Sequence, residues 1–84
     1  MTEKEQITYN LYGTEGCHLC ELALELCKQA EIATQCSYID IIDSPTLVEL
    51  YRISIPVLER LDNNKTLFWP FDLHQLQEFI CGTN

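Results

Sequence analysis

Two hydrophobic periods stand back to back in residues 6–30, and this switch constrains the fold more than any other feature of the chain. Over Gln6–Tyr12, Ile7, Tyr9 and Leu11 fall on one side, with Thr8, Asn10 and Tyr12 on the other, the period of two that marks a strand. Gly13-Thr14-Glu15-Gly16 then reads as a break. From Cys17 onward, Leu19, Leu22, Ala23, Leu26 and Ala30 recur at helical spacing while Glu21, Glu25 and Lys28 occupy other faces. A helix is therefore expected to about Ala30. A second strand is expected over 35–41, where Tyr38, Ile39, Ile41 and Ile42 supply residues that favour extended backbone. Strand, helix and strand in this order form a βαβ unit, whose two strands run parallel through a right-handed crossover.

The rest of the chain closes the sheet differently. Ser44-Pro45 is a helix start, with serine as cap and proline in the first turn, and Thr46–Tyr51 makes a short helix. Ile53–Leu58 reads as a third strand containing Pro56, and Thr66–Trp69 as a fourth. The polar segment 61–65 between them predicts a hairpin. Asp72 caps a last helix with Gln75 as its capping-box partner, and Leu73, Leu76, Phe79 and Ile80 form that helix's apolar stripe. The expected architecture is α/β: a four-stranded mixed sheet, βαβ then ββα, flanked by three helices. At 84 residues it forms one domain spanning 1–84.

Thirteen acidic residues against five basic ones leave a net charge of −8, and the five bases are scattered. Nucleic-acid affinity comes mainly from neutralising phosphates, so this balance argues against nucleic acid and against anionic membrane as partners. The charged beginning of the chain has no apolar stretch of the secretory kind, and no apolar run is long enough to span a bilayer. A cytoplasmic monomer is the expectation. The cysteine count agrees: five thiols is an odd number, unlike the even sets of disulfide-stapled secreted domains.

Only Cys17-His18-Leu19-Cys20 has a spacing with chemical meaning. Two cysteines three positions apart at a helix start face the same way and lie within disulfide reach. A thiol at the first position of the helix meets unpaired backbone N–H groups and the positive end of the dipole, which lowers its pKa and favours the thiolate. Cys17 is thus the expected nucleophile, and Cys20, a turn deeper, the resolving thiol. His18 beside it favours the thiolate when protonated, and Glu15 opposes it. A zinc site needs four ligands, and Cys27, Cys36, Cys81, His18 and His74 offer no second pair at ligand spacing. Cys27, Cys36 and Cys81 are instead expected as small buried hydrophobes.

These residues also carry a resemblance. Leu-Tyr-Gly-Thr-Glu-Gly-Cys-His-Leu-Cys-Glu, Tyr-Ile-Asp-Ile, Tyr-Arg-Ile-Ser-Ile-Pro-Val-Leu and the late Trp-Pro-Phe-Asp resemble the short glutaredoxin-like proteins of the thioredoxin superfamily over nearly the whole chain. The resemblance implies a thioredoxin fold and a cis Ile55–Pro56 bond beside the thiols. It also implies that Ile55 presents its backbone N–H and C=O to an extended substrate beside Pro56; His18, next to Cys17, is a further expected substrate contact. Three departures stand out. Glutaredoxins place a basic residue shortly before the thiols, where this chain has Thr14-Glu15-Gly16. Their glycine-rich turn before the last helix, which holds a glutathione carboxylate, is here Trp69-Pro70-Phe71-Asp72. The buried acid of thioredoxins corresponds to Leu11.

The expected function is thiol–disulfide oxidoreduction by a Cys17–Cys20 dithiol, an electron-transfer step without a bound cofactor or metal. Its partners are a protein or small-molecule disulfide and a thiol reductant, with protein disulfides favoured over glutathione mixed disulfides. A non-catalytic binding or redox-sensing module is the alternative. Cluster or metal delivery is a third, which predicts metal in protein purified without oxygen.

Overall fold

The structure, a computed structural model, describes residues 8–81. Its elements are β1 (Tyr9–Gly13), α1 (His18–Gln29), β2 (Cys36–Asp40), α2 (Pro45–Tyr51), β3 (Val57–Arg60), β4 (Thr66–Phe68) and α3 (Leu73–Cys81). Short 3₁₀ turns at Ala33–Gln35 and Ile41–Asp43 flank β2. The strands form one sheet in the order β2-β1-β3-β4. β1 runs parallel to β2, antiparallel to β3, and β3 pairs antiparallel with β4. The predicted mixed sheet with three helices is what the chain adopts.

Register explains how both faces of this sheet are buried. Leu11 lies opposite Leu58, and Tyr12 opposite Val57. Neighbouring side chains on a strand point to opposite faces, so each pair feeds a separate core. Tyr9, Leu11 and Leu58 pack with Ala23 and Cys27 of α1, Leu76 of α3 and Phe71. Tyr12, Val57 and Ile41 pack on the other face with Leu47, Val48, Tyr51 and Ile55 around α2. Thus α1 and α3 cover one face and α2 the other. Among the described residues no polar or charged side chain is buried.

The helix ends follow local rules. Ser44 Oγ accepts the Leu47 N–H at 3.3 Å. Asp72 and Gln75 form the predicted capping box: Gln75 N–H donates to the Asp72 carboxylate at 2.8 Å, and Asp72 N–H to Gln75 Oε1 at 3.0 Å. At the end of α1, Glu31 N–H donates to the Lys28 carbonyl and Ile32 N–H to the Cys27 carbonyl, each at 3.0 Å. This is a Schellman ending, and Glu31 takes its left-handed position with φ 65°. A side chain there costs energy that glycine avoids. Glu31→Gly is therefore expected to stabilise the fold by about 0.5–1 kcal/mol, read as a higher urea midpoint; a lower midpoint would contradict this ending.

Several boundaries and faces differ from the sequence reading. Gln6 and Ile7 of the first predicted strand lie outside the described residues. Gly13, read as part of a break, is the last residue of β1 and pairs with Asp40. Helix α1 begins at His18, with Cys17 as its cap. Its buried face is Cys20, Ala23 and Cys27, whereas Leu19 and Leu22 are exposed. Treating the cysteines as small apolar residues centres the stripe correctly. The third strand starts only at Val57, because Ile53 sits in the turn after α2 and is 90% exposed. Cys27 is buried and Cys36 half-buried, but Cys81 is exposed at the end of α3.

Candidate active site

The loop after β1 sets the geometry of the thiols. Gly16 has φ +80°, a conformation that favours glycine, with open space where a Cβ would stand. This turn delivers Cys17 to the cap of α1 in extended backbone (φ −87°, ψ 107°). Cys17 N–H donates to the Thr14 carbonyl at 3.3 Å, and the Cys17 carbonyl accepts the first helical bond, from Glu21 N–H, at 3.2 Å. Its sulfur does what a serine or aspartate oxygen does at other helix starts: Sγ accepts the Cys20 N–H at 3.1 Å.

Cys17 and Cys20 are disulfide-bonded, with their Cα atoms 5.2 Å apart. That separation lies in the ordinary range for a disulfide, so the pair opens and closes within one helical turn. The two sulfurs are not equivalent. Cys17 is half-exposed and Cys20 is fully buried. The Cys20 amide points at the Cys17 sulfur, and a helix start favours negative charge on a group so placed.

His18 and Glu15 are both exposed beside the pair. Pro56 is fully buried, and Ile55 half-buried against the α2-side core. Two X–Pro bonds are cis, Ile55–Pro56 and Trp69–Pro70. The backbone here departs from expectation in one respect. Ile55 N–H donates to the Tyr51 carbonyl at 3.1 Å, and the Pro56 carbonyl accepts the Trp69 N–H at 3.3 Å. The Ile55 amide is therefore already committed to the end of α2.

The other thiols sit elsewhere. Cys36 packs against the core cluster that contains Cys27. The interaction of the two thiols, with burial, pushes the Cys27 thiol up, so it stays protonated, while the same interaction lowers Cys36 against the effect of burial. Among the described residues no three His, Cys, Asp or Glu side chains converge to hold a metal ion. None of the described helices is long and apolar enough to cross a membrane.

Sequence reasoning passed over Tyr38 and Gly13. A Cβ built on Gly13 stands 2.5 Å from the Tyr38 hydroxyl and 2.9 Å from Cys20 Sγ. The missing side chain is what lets phenol and thiol approach the same spot on the sheet. A glycine ending a strand just before a thiol pair is the one hint the sequence carried.

A mixed sheet with a dithiol at the cap of its first helix defines the thioredoxin-fold class. Thioredoxin 1 of Thermosipho africanus shares this architecture at a TM-score of 0.59, with 19% identity over 86% of this chain and 88% of that one, a likeness of fold alone. The chain belongs to the family described as Glutaredoxin-like domain (DUF836), whose model matches residues 8–81. Protein XcR50 of X. campestris is similar at TM-score 0.80 and 31% identity in its solution structure, over 92% of this chain and 96% of that one. Protein Ne2328 of Nitrosomonas europaea is similar at TM-score 0.66 and 28% identity, over 94% and 96% of the two chains. No curated protein matches the chain.

Proposed function

We propose that this protein is a thiol–disulfide oxidoreductase that reduces protein disulfides through Cys17 and Cys20. The observation that carries the reading is the asymmetry of the pair: a half-exposed sulfur that accepts a helix-start amide, joined to a fully buried one. Cys17 thiolate attacks a substrate disulfide, forming a mixed disulfide and releasing one substrate thiol. Cys20 then attacks Cys17 Sγ, closes the Cys17–Cys20 bond and releases the second thiol. A thiol reductant returns the pair to the dithiol. His18 and the Ile55 carbonyl beside Pro56 are the groups we assign to substrate contact. The three remaining thiols suit a reducing compartment such as the cytoplasm.

The turn before α3 supports protein over glutathione as substrate. Asp72 N–H is taken by Gln75, and Trp69 packs edge-on against buried Phe71 with ring centres 5.0 Å apart. No glycine opens the backbone there for a carboxylate, and the net charge of −8 repels an anionic tripeptide. Turnover on an insulin-type disulfide against a glutathione mixed disulfide tests this preference. Cys20→Ser is expected to hold the substrate on Cys17, seen by mass spectrometry as a stable adduct. Equal turnover on both substrates would remove the preference, and the absence of any adduct would remove the mechanism. The reading as a non-catalytic binding module draws on exposed Ile53 and Phe68, 90% and 48% accessible. It predicts no turnover above that of Cys17→Ser.

A further inference from the structure

Cys20 presents a chemical difficulty that the Cys-x-x-Cys spacing does not solve. Its sulfur is fully buried, yet to resolve a mixed disulfide it must become a thiolate. Burial without a hydrogen-bond donor penalises that charge heavily. Thioredoxins use a buried acid nearby, but this chain has Leu11 at the corresponding position, and Leu11 is fully buried in the α1-side core.

A polar group stands near this thiol, the hydroxyl of Tyr38. It and Cys20 Sγ stand 2.5 and 2.9 Å from the same point, the missing Cβ of Gly13. The two atoms are therefore no more than 5.4 Å apart, these distances laid end to end. The hydroxyl donates to the Thr14 carbonyl at 3.2 Å. That carbonyl also accepts the Cys17 N–H, so one oxygen ties the phenol to the loop carrying the nucleophile. Tyr38 is itself 44% exposed. The charged groups facing it are Asp40 on β2, Glu21 on α1 and Glu15 in the loop, all acidic. With burial they push its pKa up and keep it a neutral donor.

We propose that Tyr38 is a catalytic residue of the resolving step, its hydroxyl turning from the Thr14 carbonyl to donate to Cys20 Sγ. This rests on the disulfide-exchange reading above. Cys20 sheds its proton to water at the exposed edge of Tyr38, and its thiolate attacks Cys17 Sγ. The Cys17–Cys20 bond forms as the bond from Cys17 to the substrate sulfur breaks. The substrate leaves as a thiolate and takes a proton from water. Cys20 is oxidised, the substrate sulfur is reduced, and no further oxidant enters.

Ellman's reagent separates the two steps. In a Cys36→Ser, Cys81→Ser background, which removes the half-buried and the exposed thiols outside the pair, the reduced protein is expected to release thionitrobenzoate in two phases. The first comes from attack by Cys17 and the second from resolution by Cys20. Tyr38→Phe is expected to leave the first phase within about twofold. It should slow the second about tenfold and move its pH profile upward, the effect of losing one hydrogen bond to a charged acceptor. Replacement of Tyr38 by 3-fluorotyrosine, a stronger donor of nearly the same shape, is expected to move that profile downward. An unchanged second phase in Tyr38→Phe overturns the proposal while leaving the exchange mechanism standing. Equal slowing of both phases overturns it too, since Tyr38 then only shapes the loop through Thr14. A protein without a second phase in its unmodified form overturns the exchange reading itself, and this proposal with it.

Discussion

Replacing Cys17 with serine is expected to lower disulfide turnover by about a thousandfold or more, with little change in stability. A serine hydroxyl stays protonated at neutral pH and lacks the intrinsic nucleophilicity of sulfur. Nothing else near the site replaces it: Cys20 is buried, and Cys27 is buried and held protonated. The serine oxygen still caps α1, taking over the Cys20 N–H that Cys17 Sγ accepts at 3.1 Å. The cap and the chemistry are thus separable at one atom. Steady-state reduction of an insulin-type disulfide, beside a urea titration of the same sample, reads both. Turnover that survives the substitution would place the reaction elsewhere. A stable fold with no turnover is the expected pair of results.

Leu11→Ala is expected to cost about 2–5 kcal/mol of stability. Leu11 is fully buried in the central strand, between Tyr38 of β2 and Leu58 of β3 in register. It packs in the core shared with α1 and α3, elements held to the sheet from one side and unable to collapse into the gap without leaving it. For so small a domain that is a large share of a total stability of about 5–15 kcal/mol. The urea midpoint should fall by about 2 M at an unchanged slope, because the folded surface is the same and only the interior is depleted. A drop of under about 0.5 M would mean that Leu11 does not hold the sheet to these helices.

These two substitutions differ in how much of their logic was visible before the fold. Cys17 and Cys20 were legible because their relation is local: three residues within one turn fix both separation and direction. The caps at Ser44 and Asp72 were legible for the same reason. Leu11 was placed on a strand but not at its centre, since strand order depends on pairings tens of residues apart. The Ile55 amide was misjudged because residues 53–55, read as strand, form the turn after α2, and that turn brings the amide back to the Tyr51 carbonyl.

The switch from strand period to helix period around Gly13–Cys17 determined the βα unit and set a dithiol at a helix start. Periodicity and capping are short-range effects, and they carried the chain as far as a mixed sheet with three helices. Tertiary structure decided which side of α1 was buried, exposing Leu19 and Leu22 and enclosing Ala23 and Cys27 with Cys20. It also brought Tyr38, 18 residues beyond Cys20 in sequence, to the same gap above Gly13. The physical reason is that burial and side-chain approach depend on how the faces pack. The packing of α1 on a parallel pair of strands is a contact between distant segments that no local pattern encodes.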